Sequence, residues 1–454
     1  MSLRGLLFGS WVVSVAAVGL ASDWPRFLGS GGASRGDEGS EAPAEWGPDR
    51  NIRWRVELPG KGVSSPIVVG DRVFVTCYSG YGMGGRDESP EDLERHLVCV
   101  GRGDGQVLWS RAVPSLAAED PYTGIGVPAH GYASHTPVSD GESVFAFFGK
   151  SGVFAFDLEG ERLWHAEVGR GSGPQRWGSA ASPIVYEDLV IINAADESES
   201  LIALDKRTGE QVWRSEAPSL QGSWSTPALV DAGDGIEMVL MVPGEVWGLN
   251  PETGKLRWYS RGIRDSTACS SIVPGDGVVY AVGGRGGEAV AVRLGGRDNV
   301  DESHVVWDGN IPGRFATPVL HDGHLYCYAN AVLSVYNAAT GERVGQRRLS
   351  DEGPGVRGGP GEPGESDEPS RGRRGGRGRG GMGSSDYASP IIVGGKLYVT
   401  SRSGSVFVLA ADPGVEVLAV NRFEGDSGFG GTPASSDGQL FFRSDRYLYC
   451  VAGD

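Results

Sequence analysis

Residues 182–213 read SPIVYEDLVIINAADESESLIALDKRTGEQVW, and this stretch contains the pattern that decides the fold. A Ser-Pro pair opens a short apolar run, and a second apolar run follows Glu187 and Asp188. A third run ends in a polar turn, and a fourth closes on Trp213, four residues after Gly209. Short apolar runs separated by turn residues predict four antiparallel β-strands joined by tight connections.

The same unit recurs along the whole chain. Its eight start residues are Ser65, Thr136, Ser182, Thr226, Ser271, Thr317, Ser389 and Thr432. Successive starts lie 43 to 46 residues apart, except for two longer steps of 71 and 72 residues that add an insertion to one unit. Eight units of this length, each with four strands, predict an all-β fold, an eight-bladed β-propeller.

The two ends of the chain indicate how the ring closes. The last unit, residues 432–454, supplies only three strands. An isolated strand near the N-terminus, within residues 51–60, resembles the fourth strand of the other units. Pairing the two would complete the last blade and leave no open strand in it. We therefore predict one propeller domain over residues 51–454, closed by an N-terminal strand.

The segment before the propeller indicates export. Residues 1–21 combine Arg4, an apolar run and small residues at the end, which is the pattern of a signal peptide. Residues 22–50 form an N-terminal extension. We expect an exported protein, periplasmic or extracellular, whose mature chain is monomeric and does not insert into a membrane. The net charge of −17 disfavours nucleic acid as a partner.

Three long segments depart from the repeat: residues 79–95, 114–134 and 350–386. In a propeller these positions share one face, and insertions in a repeat often carry function. The third is of low complexity and is predicted to be disordered. Acidic residues of the same face, at 87–94 and at Asp196, Glu197 and Glu199, are expected to be solvated.

Aromatic residues precede the first strand of six units, at the expected mouth of the central channel. With their polar neighbours they form our set of candidate ligand contacts: Tyr132, His135, Arg176, Trp177, Trp224, Arg314, Phe315, Tyr387 and Phe429. Two interpretations remain open at this point. The rings cover the channel end by packing, or they form a stacking platform for a sugar, a quinone or a peptide.

The cysteines and histidines predict no metal centre. His321 and His324 flank a hairpin turn but lack a third ligand. Cys77 and Cys99 fall on neighbouring strands of the first unit, so an exported chain could join them in a disulfide. The alternative is that all five cysteines are buried thiols that pack as small apolar residues.

The run Ala203-Leu204-Asp205, followed by Thr208-Gly209 and Trp213, resembles the tryptophan-docking repeat of pyrroloquinoline-quinone (PQQ) enzymes. The wider PQQ-like repeat family includes the outer-membrane assembly lipoprotein, and the sequences 23–27 and 131–137 resemble its secreted, planctomycete-type members. The resemblance implies that a set of tryptophans packs between blades. These are Trp54, Trp109, Trp164, Trp213 and Trp258.

The resemblance also bears on function. PQQ enzymes of this type hold the cofactor with a vicinal disulfide and a Ca²⁺ site, and this chain has no Cys-Cys pair and no matching ligand segment. We therefore expect no cofactor, neither PQQ nor Ca²⁺. The sequence favours a non-catalytic binding or scaffold propeller that engages a protein or an envelope polymer through its insertion-rich face. The alternative is a divergent quinoprotein dehydrogenase or another enzyme acting at the channel mouth.

Overall fold

The computed structural model describes residues 23–453, apart from 125, 351–385 and 424–427. The expected signal peptide and most of the low-complexity insertion lie outside the described residues. Nearly all of the regular secondary structure in the described residues is β-strand, and the prediction of an all-β, eight-bladed propeller is confirmed.

Blades 1 to 7 are each built from four antiparallel strands in chain order. Blade 1 comprises Ile67–Val69, Arg72–Ser79, Glu94–Gly101 and Val107–Pro114; blade 2 comprises Val138–Ser139, Ser143–Phe147, Val153–Asp157 and Arg162–Ala166. Blade 3 comprises Ile184–Tyr186, Leu189–Ala194, Ser200–Asp205 and Gln211–Glu216; blade 4 comprises Ala228–Asp231, Ile236–Val242, Glu245–Leu249 and Leu256–Arg261. Blade 5 comprises Val273–Pro274, Val278–Val282, Glu288–Arg293 and Val305–Asn310; blade 6 comprises Val319–His321, His324–Ala329, Val332–Asn337 and Arg343–Arg348. Blade 7 comprises Ile391–Val393, Lys396–Thr400, Ser405–Ala410 and Val417–Arg422.

Blade 8 joins the two ends of the chain. Its first three strands are Ala434–Ser436, Gln439–Arg443 and Tyr447–Val451, and its outer strand is the N-terminal strand Ile52–Glu57. The N-terminal strand pairs antiparallel with Tyr447–Val451. The predicted three-plus-one closure is therefore confirmed, and it satisfies backbone groups that would otherwise form an open sheet edge.

The Ser/Thr residues that start the units form a closed ring of hydrogen bonds around the central channel. The backbone N–H of each start residue donates to the side-chain hydroxyl of the next blade, at 2.9 to 3.0 Å in all eight cases. The last bond runs from Thr432 back to Ser65 and completes the circle. This hydroxyl ring explains why the repeat requires Ser or Thr at that position, because only these small side chains place a hydroxyl there.

Tryptophans of the fourth strands pack against a glycine turn in the following blade. Trp213, for example, donates its indole N–H to the Pro251 carbonyl at 3.0 Å, and a Cβ on Gly254 would lie 2.5 Å from the Trp213 ring. The turn therefore needs glycine both for its positive φ and for the close approach of the indole. Equivalent contacts are made by Trp54, Trp109, Trp164 and Trp307.

Trp258 departs from this arrangement. It is fully buried between blades 4 and 5, but its indole N–H donates to the Glu237 carboxylate of its own blade at 2.8 Å. The glycine turn is missing because the corresponding connection of blade 5 is expanded. That connection contributes Asp298–Asn299 as a short fifth strand to the edge of blade 4.

The N-terminal extension closes the lower end of the channel, opposite the insertions. Trp24 forms two backbone hydrogen bonds with Val68 of blade 1, and the Pro25 carbonyl accepts from Ser139 of blade 2. Arg26 reaches the Pro227 carbonyl of blade 4 at 3.3 Å. Ser34 and Gly36 then bond to Ile392 of blade 7. Residues 23–36 thus cross the channel and are hydrogen-bonded to four blades. We call this segment the plug.

All five cysteines are free thiols, and the register of blade 1 shows why Cys77 and Cys99 do not meet. Cys99 lies opposite Phe74, three residues from Cys77. Because side chains alternate between sheet faces, Cys77 and Cys99 point to opposite sides of the blade. They pack in different hydrophobic clusters, so the interpretation as buried apolar thiols holds for both.

Helices in the described part of the chain are few and short. They are α1 (Val127–His130), α2 (Ala195–Ser198) and the 3₁₀ turns Pro90–Asp92, Gly149–Ser151 and Pro218–Leu220. Within the described ranges, no helix has the length and apolar character needed to cross a membrane.

Candidate functional site

The central channel forms a blind well that opens toward the insertion-rich face. Its volume is about 130 Å³, and the side chain of Phe27 from the plug lies in its lining. Seven of the eight residues of the hydroxyl ring line its wall. The well is therefore bounded below by the plug, around its waist by hydroxyl groups, and above by aromatic side chains.

Two aromatic pairs form the upper wall. The rings of Trp177 and Trp224 lie 5.7 Å apart, and those of Phe315 and Tyr387 lie 4.6 Å apart. All four side chains are half-buried and line the well. Four of the six aromatic residues proposed from the sequence are thus brought together at one site.

Two arginines stand behind the second pair. The Arg314 guanidinium lies 5.0 Å from the Phe315 ring centroid, and that of Arg402 lies 5.1 Å from the Tyr387 ring centroid. Arg402 also donates to the Ala129 carbonyl of helix α1 at 2.8 Å. This bond ties blade 7 to the loop that leads into blade 2, so α1 lies across the mouth.

His130 at the end of α1 is a neutral part of the mouth. One ring nitrogen contacts the Trp177 carbonyl at 2.8 Å, and the other contacts the Ser134 hydroxyl at 2.6 Å. Because a carbonyl can only accept, Nε2 carries the proton and Nδ1 accepts from Ser134. Burial, aided by the nearby Arg402 charge, lowers the pKa of His130 to about 4, so it is uncharged at neutral pH.

A buried charge cluster adjoins the well and takes side chains from blades 1, 2 and 3. Arg95 pairs with Glu119 at 2.8 Å, and Lys150 pairs with Asp120 at 3.2 Å. Arg176 is largely exposed and reaches the same Asp120 carboxylate from outside, also at 3.2 Å. A small cavity of about 30 Å³ lies among these groups.

Asp196 and Glu197 belong to this cluster, which corrects the expectation that they are solvated. Asp196 accepts from the indole N–H of Trp224 at 2.8 Å, and Glu197 accepts from the hydroxyl of Ser179. Burial raises the pKa of Asp196 to about 6 and that of Glu197 to about 8, and the nearby Asp196 charge adds to the second shift. Helix α2 carries both residues inward, and sequence pattern gave no sign of this.

Five of the nine candidate contacts do not line the well: Arg176 and Arg314, described above, and three further side chains. His135 is 5% exposed and its Nε2 contacts the Ser179 hydroxyl at 2.9 Å, within the charge cluster. Tyr132 is packed among other tyrosines, and Phe429 is buried against Phe423. These three side chains fill the interior rather than face a ligand.

The first two insertions pack on each other through a tyrosine cluster. The Tyr81 ring centroid lies 6.2 Å from that of Tyr122 and 5.9 Å from that of Tyr132. The Tyr81 hydroxyl accepts a hydrogen bond from the Tyr122 backbone N–H. Tyr78 underlies them in an edge-on contact with Tyr132. With Met83, the partly buried Tyr81 and Tyr122 form what we call the tyrosine patch.

Sequence reasoning missed two parts of the well. Phe27 comes from the N-terminal extension, whose sequence has no repeat pattern to place it in the channel. Cys269 lines the wall and is the half-exposed member of the five cysteines. A signal for it did exist, because Cys269 lies two residues before the start residue Ser271, as Trp224 does before Thr226.

The well does not match the size of PQQ or its ligand set. A cavity of about 150 Å³ takes a single benzene ring, whereas PQQ is a fused three-ring tricarboxylate. Among the described residues, no group of three or more His, Cys, Asp or Glu side chains is placed to hold a metal ion. The free thiols also supply no vicinal disulfide.

Comparison with known proteins places this architecture in a family. The profile described as outer membrane protein assembly factor BamB matches residues 45–174 and 94–347, which together span more than half of the chain. The BamB of Burkholderia pseudomallei is 25% identical over 297 residues, covering 63% of this chain and 65% of that protein. The chain thus matches less than two thirds of the length of that relative.

Solved structures share the fold at low sequence identity. The BamB of Moraxella catarrhalis superposes with a TM-score of 0.56 at 14% identity, covering 88% of this chain and 98% of the other. A europium-containing methanol dehydrogenase superposes with a TM-score of 0.61 at 11% identity, covering 95% and 98%. These likenesses concern the fold alone. From the profile match and the eight-bladed ring, the chain belongs to the PQQ-like repeat family of β-propellers that includes the BamB assembly factors.

Proposed function

We propose that this protein is a non-catalytic scaffold of the cell envelope that binds another protein through its insertion-rich face. The tyrosine patch is the observation that carries the proposal. It stands on two insertions that the repeat itself does not need. The family supports it, since its profile and the matched Burkholderia protein are described as an outer membrane protein assembly factor.

The composition of the patch suits protein binding. Tyrosine and methionine are enriched at protein interfaces, because they bury large area and Met adapts its shape to the partner. Tyr81, Met83 and Tyr122 are each partly buried against the cluster and partly open to solvent. A partner can therefore cover their remaining surface without disturbing the fold.

The patch is held in place before any partner arrives. The carboxylate of Glu88 accepts hydrogen bonds from the backbone N–H groups of Gly82, Met83 and Gly85. Lys61 donates to the Met83 carbonyl at 2.9 Å, and this bond anchors the loop to the blade 1 side of the channel. A preformed surface lowers the conformational entropy that binding must overcome.

Charge beside the patch indicates the kind of partner. Asp87, Glu91, Asp92 and Glu94 are exposed on the same insertion, in a chain of net charge −17. A basic partner surface would be attracted to this edge, and the attraction would weaken as salt increases. We propose a protein partner with a basic rim, bound by a monomer without a cofactor, on the periplasmic side of the outer membrane.

The experiment compares tyrosines on the two faces of the ring. A photo-crosslinking phenylalanine analogue is placed at Tyr122 in the patch, or at Tyr186, a partly buried tyrosine in the hairpin on the lower face of blade 3. We expect one discrete crosslinked protein from position 122 in producing cells, and its loss when Met83→Ser and Tyr81→Ser are added. Equal crosslinking from position 186, or none from position 122, would contradict the proposal.

One observation favours a second candidate function, an enzyme at the channel mouth. The pKa of Glu197 is raised to about 8, mainly by burial, close to the well, and carboxyl groups of this kind act as general acids. Against this, Ser179 and Trp224 separate the acidic pair from the well. Dye reduction by alcohols and sugars, with PQQ and Ca²⁺ added, tests the quinoprotein form. Turnover that is lost in Glu197→Gln would support an enzyme.

A further inference from the structure

The hydroxyl ring has unused hydrogen-bond donors. Each of its eight hydroxyl oxygens accepts one backbone N–H, as described above. Among the described residues, none of these hydroxyl groups donates to a protein acceptor. A serine or threonine hydroxyl carries one O–H donor and a second lone pair, so the ring offers both kinds of bond to a ligand in the well.

The well has room for one ring. Its volume of about 130 Å³ is close to that of a cavity that holds benzene, about 150 Å³, so the substituents of a larger ring extend into the open mouth between the aromatic pairs. Phe27 closes it below, so a ligand enters only from the mouth. A chain molecule can therefore insert its end but cannot thread through.

The wall carries no formal charge. None of the described residues that line the well is Asp, Glu, Lys or Arg. His130 is neutral at pH 7, since burial lowers its pKa to about 4, and burial raises the pKa of the Cys269 thiol to about 11. An ionised ligand would lose its hydration here, and the nearest positive charges, Arg314 and Arg402, lie behind the Phe315 and Tyr387 rings rather than in the lining. The preferred ligand is therefore uncharged.

The aromatic pairs complete the description of the ligand. Trp177 with Trp224, and Phe315 with Tyr387, present apolar surfaces above the polar hydroxyl ring. A ligand that matches both must combine an apolar face with several hydroxyl or ether oxygens around one ring. Ligand pockets commonly combine apolar walls with a few placed polar groups in this way.

From these four properties we propose that the channel well binds a single uncharged pyranose ring. The ring is either a free monosaccharide or the terminal residue of a glycan. Its C–H face packs against the aromatic pairs, and its oxygens bond to the hydroxyl ring. This site is separate from the tyrosine patch, so the proposal goes beyond the proposed protein scaffold and stands or falls independently of it.

Cys269 provides a direct readout, because it lines the well and the other four cysteines are buried. The rate of Cys269 alkylation by iodoacetamide is followed at pH 9 by mass spectrometry. The added probes are glucose, galactose, mannose and N-acetylglucosamine. We expect at least one sugar to slow the alkylation in a saturable manner. No protection by any of them at 50 mM, on the order of the weakest useful affinity, would overturn the proposal.

Variants separate binding in the well from general stabilisation. Thr226→Val removes one ring hydroxyl and should weaken sugar protection about fivefold, the value of one hydrogen bond. Thr226→Ser keeps the hydroxyl and should bind as the native protein does. Thr400→Val makes the same change at a buried threonine outside the well and serves as the control. Equal sugar protection of Cys269 in all three variants would contradict a role for the hydroxyl ring in binding.

Two further comparisons of Cys269 protection, with a disaccharide and with benzoate, identify the ligand. Protection by a disaccharide as strong as by its terminal sugar points to a glycan end, and protection by the monosaccharide alone points to a free sugar; both support the proposal. Protection by benzoate but by no sugar would overturn it, because an anionic aromatic ring would then be preferred. Retention of the Tyr122 crosslink in Ala180→Phe, which fills the well, would show that failure here leaves the scaffold proposal intact.

Discussion

Burial of the Glu197 carboxyl makes the stability of the protein depend on pH. Its pKa is raised to about 8 in the folded state, mainly by burial, against about 4.5 when unfolded. As pH rises, the unfolded chain therefore loses the Glu197 proton before the folded chain does. The contribution of Glu197 to the free energy of unfolding is complete below pH 4.5 and is lost as pH rises to 8. His135 acts in the opposite sense, because burial lowers its pKa to about 3 and stability is lost as pH falls below 6.5.

The range between pH 7 and 8 separates Glu197 from His130 and His135, which are largely neutral there in either state, and from Asp196, whose pKa of about 6 leaves it largely ionised in the fold. We expect the native protein to lose thermal stability across this range, and Glu197→Gln to lose much less, since its amide does not ionise. Melting temperatures at half-unit pH steps test this. Parallel curves for the two proteins would show that the Glu197 carboxyl is not protonated in the fold.

At the scale of elements, the plug formed by residues 23–36 is as important to the site as the blades. Burial of Trp24 and Leu28 contributes about 1.5–3 kcal/mol each, and the backbone bonds to four blades add to this. Deletion of residues 23–36 should lower the melting temperature and open the floor of the well. Faster alkylation of Cys269 in the deletion variant would show the opening, and an unchanged rate would contradict the role of Phe27 as floor.

The plug also shows which features could not be predicted from the sequence. The blades repeat, so one unit predicts the others, and periodic Ser/Thr-Pro and Trp positions were sufficient for the fold. The plug, the charge cluster and the burial of Phe429 occur once each. Their positions depend on side chains that meet across the ring, such as Trp24 with Val68, and no local pattern records such contacts. The two aromatic pairs of the well were predictable because their residues recur at the same position in successive blades.

The whole molecule is held as a ring by one non-covalent junction, the closing strand in blade 8. Trp54 lies on this junction, whereas Trp164 lies between two blades that the chain connects covalently. The two residues are otherwise alike. Each is 8% exposed, donates its indole N–H to a carbonyl of the next blade, and packs on a glycine turn.

This pair permits a test of how the ring fails. Replacement of either tryptophan by alanine should cost about 3–5 kcal/mol of local packing. Only Trp54→Ala also weakens the contact between the two chain ends, so it should open the ring before the blades unfold. We expect faster proteolysis near residues 51–60 and self-association through the freed strand edge in Trp54→Ala, measured by limited digestion and light scattering. The same behaviour in Trp164→Ala would mean that all blade interfaces open alike and that the closing strand is no weaker than a covalent connection.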